Sequence, residues 1–110
     1  VWEVLWHMAT TLKDLYISSS QIDVNNFRSK SGFEIALSEG SLTKENKELM
    51  QYRKLDYNNR IVDITPHIKV DRKGKNLRIY YYYDRELEKV VIGHCGNHLP
   101  THGSKVRKEN

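Results

Sequence analysis

The sequence predicts an α+β fold: two to three N-terminal helices followed by a small antiparallel sheet. Three observations predict it. Apolar residues recur with a helical period over residues 1–17, and β-branched and aromatic residues crowd the chain after Asn58. The connections between those later segments are short, as hairpins require. Helices come first and strands second, without alternation, which separates α+β from α/β.

Each element has its own signature. Val1, Val4, Leu5, Met8, Leu12, Leu15 and Tyr16 share one face of a 3.6-residue repeat, and Trp2 and Trp6 form a second apolar stripe beside it. That width predicts burial on two sides, against a preceding domain or a partner. "SSSQ" (Ser18–Gln21) breaks the helix. Asp23 is placed to cap a second helix containing Val24 and Phe27, which extends to Phe33, Ile35 and Leu37 if it survives Gly32. After the loop "SEGSLTKEN", Thr43 is an N-cap candidate for a third helix over residues 44–54. "RIVDITPHIKV" reads as a strand interrupted at Pro66, and "DRKGKN" as a turn. "LRIYYYYD" and "KVVIGH" form a hairpin through "DRELE". One domain spanning 1–110 results, helical over 1–55, sheet over 58–100, with a flexible polar tail at 101–110. The chain opens without methionine, inside a helical pattern, so we expect the C-terminal part of a longer protein.

Composition narrows the class. With 110 residues, 38% hydrophobic and 29% charged, the chain has the make-up of a soluble globular domain able to bury a core. No apolar run approaches the roughly 20 residues of a membrane span. The lone cysteine cannot form an internal disulfide, which fits a reducing cytoplasm. A net charge of +4, from 18 Lys and Arg against 14 Asp and Glu, suits an anionic partner such as nucleic acid without identifying one.

Alternation sorts the sheet. Leu77, Ile79, Tyr81 and Tyr83 share one face with Ile68 and Val70. The other face gathers His67, Lys69, Arg78, Tyr80 and Tyr82, a set whose cations and rings suit phosphodiesters and bases. An ordinary solvated face with amphipathic tyrosines has the same pattern. His94 joins this polar face if Arg78 lies opposite it, and turns toward the helices if Ile79 does, because a one-residue slip flips every side chain. Gly93 and Gly96 predict a bend or a close backbone approach there.

The run "VVIGHCGNHLPTH" holds His94, Cys95, His98 and His102, each a competent zinc ligand. All four fall in one segment, however, whereas structural zinc sites pair ligands from two separate knuckles, and adjacent His94 and Cys95 on a strand point apart. We therefore expect neither a metal nor a cofactor. A nucleophilic Cys95 would need an imidazole or cation held beside it, which the sequence does not show. Metal-independent RNA cleavage uses the residues better: a base takes the 2′-hydroxyl proton, an acid protonates the leaving oxygen, and cations steady the phosphorane. His67, His94 and His98 are the acid–base candidates. Lys69, Arg72 and Arg78, with Tyr80 and Tyr82, are the nucleic-acid-binding candidates.

The run "HIKVDRKGKNLRIYYYYDRELEKVVIGHCGNHLPTH" resembles the C-terminal sheet of the RelE/YafQ/HigB-like bacterial toxins. The likeness rests on Lys69, Arg78, Tyr80, Tyr82, His94 and His98, with His67 where YafQ-like members can carry a histidine. It covers the last third of the chain, and the strand that opens the family's fold is missing here. The resemblance implies a RelE-like fold, cleavage of ribosome-bound mRNA without a metal, and a neutralising antitoxin docking through the Trp2/Trp6 helix. The related ParE-type toxins share the fold but have no use for a histidine cluster. The rival reading is a non-catalytic C-terminal domain that docks a partner or nucleic acid.

Overall fold

The computed structural model describes residues 2–72 and 75–102, without the side chains of Arg72 and Lys75. The N-terminal period produces one unbroken helical rod: α1 (Trp2–His7), a π turn (Met8–Leu12) and α2 (Lys13–Ser18). Val4, Met8 and Leu12 recur every fourth residue, and all are buried. In a pure α-helix such a line drifts by about 40° at each step, since each residue turns about 100°. The wider π turn takes up part of that drift and keeps Leu12 in the core. Trp2 and Trp6 are not covered by this chain's own residues and lie open at 82% and 56% exposure.

Asp23 caps α3 (Val24–Ser31) as expected, its Oδ1 accepting the Asn25 and Asn26 N–H groups at 3.0 and 3.2 Å. Gly32 stops the helix with φ of 82°, a left-handed conformation that any larger side chain would strain. The chain leaves helical geometry there, so Phe33, Ile35 and Leu37 do not extend α3. Ile35 instead centres a short strand, β1 (Glu34–Ala36), and enters the core with Phe33.

The third helix differs too. Residues 44–54 are not one helix but α4 (Ser41–Lys44), α5 (Lys47–Gln51) and the start of a strand. Asn46 makes the break: its side chain accepts the Leu49 N–H at 3.1 Å and begins a new helix where the old one would have continued. Thr43 lies inside α4, and its Oγ1 accepts the His102 N–H at 3.1 Å. A hairpin follows, β2 (Lys54–Tyr57) with β3 (Arg60–Asp63). Asn58 and Asn59 turn it at φ of 51° and 64°. Two left-handed residues in a two-residue loop match the twist of antiparallel strands, and asparagine tolerates that conformation.

The remaining strands, β4 (His67–Arg72), β5 (Lys75–Asp84) and β6 (Lys89–Gly96), join β1 in a four-stranded antiparallel sheet of order β1-β4-β5-β6. The fold is α+β, helices first and most strands after, although strands begin at Glu34 rather than near residue 58.

Parity assigns the two faces. Ile35, Ile68, Val70, Ile79 and Tyr81 pack with Val4, Met8, Leu12, Ile22 and Phe27 of the helical layer. The opposite face, expected to be solvated, is partly covered by the excursion 37–66 and the segment after β6, around a second core of Ile64, Tyr80 and Leu99.

Ladder pairing shifts by one residue between Tyr80 and Tyr81: Ile92 opposes Tyr81, Gly93 is extra, and His94 opposes Tyr80. A Cβ on Gly93 would sit 2.7 Å from both Cδ1 and Cγ2 of Ile64. Only glycine lets the bulge lie beneath Ile64. Gly93→Ala should therefore lower stability by about 1–3 kcal/mol, seen as a lower urea midpoint at unchanged slope. Combining it with Ile64→Ala should cost less than the sum of the two single changes, because the clash disappears.

Candidate functional site

The bulge decides which way His94 points. A regular ladder continued from Ile92 opposite Tyr81 would set His94 opposite Ile79, on the helix side. With Gly93 extra, His94 opposes Tyr80 and joins the far face. Two cross-strand rows then lie side by side on that face: Ala36, His67, Tyr80 and His94, and next to them Glu34, Lys69, Arg78 and Gly96. Of the expected site residues, the register thus gathers His67, Lys69, Arg78, Tyr80 and His94.

Burial separates these residues again. Tyr80 is 1% exposed, with His67 and His94 rings 4.5 and 5.8 Å from its own and the Arg53 guanidinium 6.0 Å from its centroid. Its hydroxyl accepts the Leu99 N–H at 3.0 Å. A ring covered this way cannot stack on a base, so the expectation that Tyr80 is a stacking platform is corrected. His67 is 5% exposed and sits as a packed histidine. Its Nδ1 lies 2.8 Å from the Thr65 carbonyl. A carbonyl only accepts, so Nδ1 carries the proton and Nε2 the lone pair. Burial, seconded by the charges of Lys69 and Arg78, holds its pKa below that of a free histidine, against the opposing pull of the Thr65 carbonyl and Glu39. Tyr82 is half-buried under Arg60, which donates to its hydroxyl at 3.1 Å. The Arg72 side chain falls outside the described residues.

The accessible part of the face is a strip. Lys69 is half-buried, and Arg78 donates to Asp71 Oδ1 at 2.7 Å. The Asp71 side chain is 52% exposed and that of Arg78 15%, so solvent reaches this pair from the carboxylate side and a phosphate would have to displace Asp71 to engage the guanidinium. His94 donates through Nε2 to the Asn97 carbonyl at 3.0 Å, which folds the next turn back on its ring. That turn carries His98, exposed, with Nδ1 donating to the Leu99 carbonyl at 3.1 Å and Nε2 left with a lone pair. Cys95 opposes Ile79 and so points away from His94, toward the helix side. Among the described residues no three of His, Cys, Asp and Glu converge as metal ligands.

Sequence reasoning missed what holds this turn in place. Arg53, with no exposure, donates to Glu39 Oε2 at 2.6 Å, to the Leu49 carbonyl at 3.0 Å, to the Pro100 carbonyl at 2.8 Å and to the Leu99 carbonyl at 3.4 Å. No local pattern marks an arginine for burial. Asp71 was detectable, since it alternates with Lys69 onto the same face.

No family model, curated protein or solved structure matches the chain.

Two outcomes are expected. Arg53→Ala strands the Glu39 carboxylate, whose side chain is 9% exposed, and should cost about 3–5 kcal/mol in a denaturant titration. Arg53→Lys should recover only part, because one ammonium cannot reach so many acceptors. The depressed His67 pKa means that the unfolded chain takes up this proton first as pH falls. Stability should be intact above the free-histidine value of 6.5 and decline as pH drops from there through the lower folded value. Melting temperatures across that window, compared with His67→Gln, isolate the contribution.

Proposed function

We propose that this domain binds RNA along the strip formed by Lys69, Arg78, His94 and His98 and cleaves it without a metal, as the RelE-like toxins it resembles do. The observation that carries the reading is the bulged register, which sets an imidazole beside the Lys69–Arg78 row instead of on the helix side. In this reading Lys69 and Arg78 hold the scissile phosphate and steady its developing charge. The lone pair on His98 Nε2 takes the 2′-hydroxyl proton. His94, protonated, returns a proton to the departing 5′-oxygen. The two roles are interchangeable, since histidine is the side chain suited to either near neutral pH. His67, buried against Tyr80, packs on that ring and takes no part in contacting substrate. Ribosome-bound mRNA as the target, an antitoxin partner and a cytoplasmic setting belong to the same proposal. A second reading, a non-catalytic docking domain, is favoured by the exposure of Trp2 and Trp6.

The test is cleavage of a labelled mRNA with and without ribosomes, in EDTA, comparing the parent protein with His98→Ala and Arg78→Ala. Cleavage that survives EDTA and falls about 10²–10⁴-fold in His98→Ala is the expected result. Absence of cleavage under every condition, with folded protein verified by circular dichroism, would overturn the catalytic reading in favour of docking.

A further inference from the structure

The sheet has an unprotected side away from the histidine strip. β6 is its outer strand, and among the described residues only β5 pairs with it. Along its other edge alternate backbone N–H and C=O groups therefore point outward, and the regular stretch runs over Lys89–Ile92, before the bulge at Gly93. Edge strands are ordinarily blunted by inward charges, proline, bulges or brevity. β6 has no proline, its one lysine stands at its first position, and its bulge lies past the stretch beside the recess.

The surface beside this edge is apolar. Val90 and Ile92 oppose Tyr83 and Tyr81, so both lean toward the helix side. With Leu5 and Ala9 they line a recess of about 240 Å³ between the helical rod and β6. Ile92 is 44% exposed. Trp2 and Trp6 stand at i, i+4 spacing on the same helical rod and are exposed. The described charged residues lining the recess are Lys13 and Lys89, with no carboxylate among them.

We propose that this edge and recess bind an extended, acidic segment of a partner protein, which adds to the sheet as a strand beside β6. Alternate apolar side chains of the segment fill the recess over Leu5, Ala9 and Ile92, its backbone completes the open ladder, and its carboxylates meet Lys13 and Lys89. The inference stands independently of RNA cleavage, since it uses no side chain of the strip.

The chain's two tryptophans both stand on α1, the helix whose Leu5 forms one wall of the recess, and both are exposed, so their emission is the readout chosen for a segment seated there. The probe is a peptide as long as β6 that alternates valine with glutamate, set against the same peptide with lysine for glutamate. The acidic peptide should shift tryptophan emission to the blue. Its affinity should fall severalfold as added salt shortens the screening length from about 10 Å to about 3 Å. Ile92→Lys should abolish the response, while Lys13→Glu with Lys89→Glu should transfer it to the lysine peptide. No shift with the acidic peptide, or equal shifts with both peptides, overturns the proposal. A blue shift that grows with protein concentration alone also overturns it, and assigns the edge to a second copy of this chain.

Discussion

The guanidinium of Arg53 is the constraint on which the far side of the sheet depends. The helical side can rely on apolar burial, since Val4, Met8, Leu12, Phe27, Ile68, Ile79 and Tyr81 are nearly free of solvent contact there. The far side has Ile64, Tyr80 and Leu99, with Leu55 and Tyr82 half-covered. At about 1.5–3 kcal/mol for each fully buried side chain, that small set is hard pressed to order a short hairpin, two short helices and the segment after β6. Arg53 links them by hydrogen bonds: its partners lie in the loop after β1, in α5 and at Leu99 and Pro100. Desolvating an arginine is costly, and geometry this complete is what offsets the cost.

The same layer sets the limits of the candidate face. Covering Tyr80 and His67 removes the middle of the expected binding surface and leaves a strip at the end nearer the turn after β6. The turn that carries His98 is fixed because the Leu99 N–H is held by the Tyr80 hydroxyl and the carbonyls of Leu99 and Pro100 by Arg53. The hairpin is moored separately. Tyr57 donates to Asp84 at 2.7 Å, and the Leu87 N–H, followed by this hydroxyl, keeps the Asp84 carboxylate below its usual pKa.

Local chemistry was legible in the sequence where it acts locally. The N-terminal helix followed from periodicity, α3 from Asp23 and Gly32, and the β5–β6 hairpin with its apolar face from alternation. The misses have local and tertiary causes. Asn58–Asn59 was a readable hairpin turn that the expected third helix obscured, and Asn46 was a readable cap inside the same helix. β1 is too short for a pattern and exists because Ile35 finds Ile68. The direction of His94 depends on an extra residue beneath Ile64, a side chain far away in sequence. The burial of Arg53 depends on carbonyls that only the finished fold brings near. Lys69, Arg78 and His94 were thus identifiable as a set, but not which of their companions would stay open to solvent.

One feature of the topology bears on how such a domain can diversify. The chain leaves the main sheet at Ala36 and returns at His67, and these two residues are cross-strand partners. The excursion 37–66 therefore begins and ends at neighbouring points, like a cassette fitted into a hairpin. Its length and internal layout can change without altering the register of β1 against β4, and loop-closure entropy resists such changes only weakly. The helical layer and its sheet are a fixed chassis. The cassette, which roofs the histidine side, is the part whose length and layout the register of that chassis leaves free to vary.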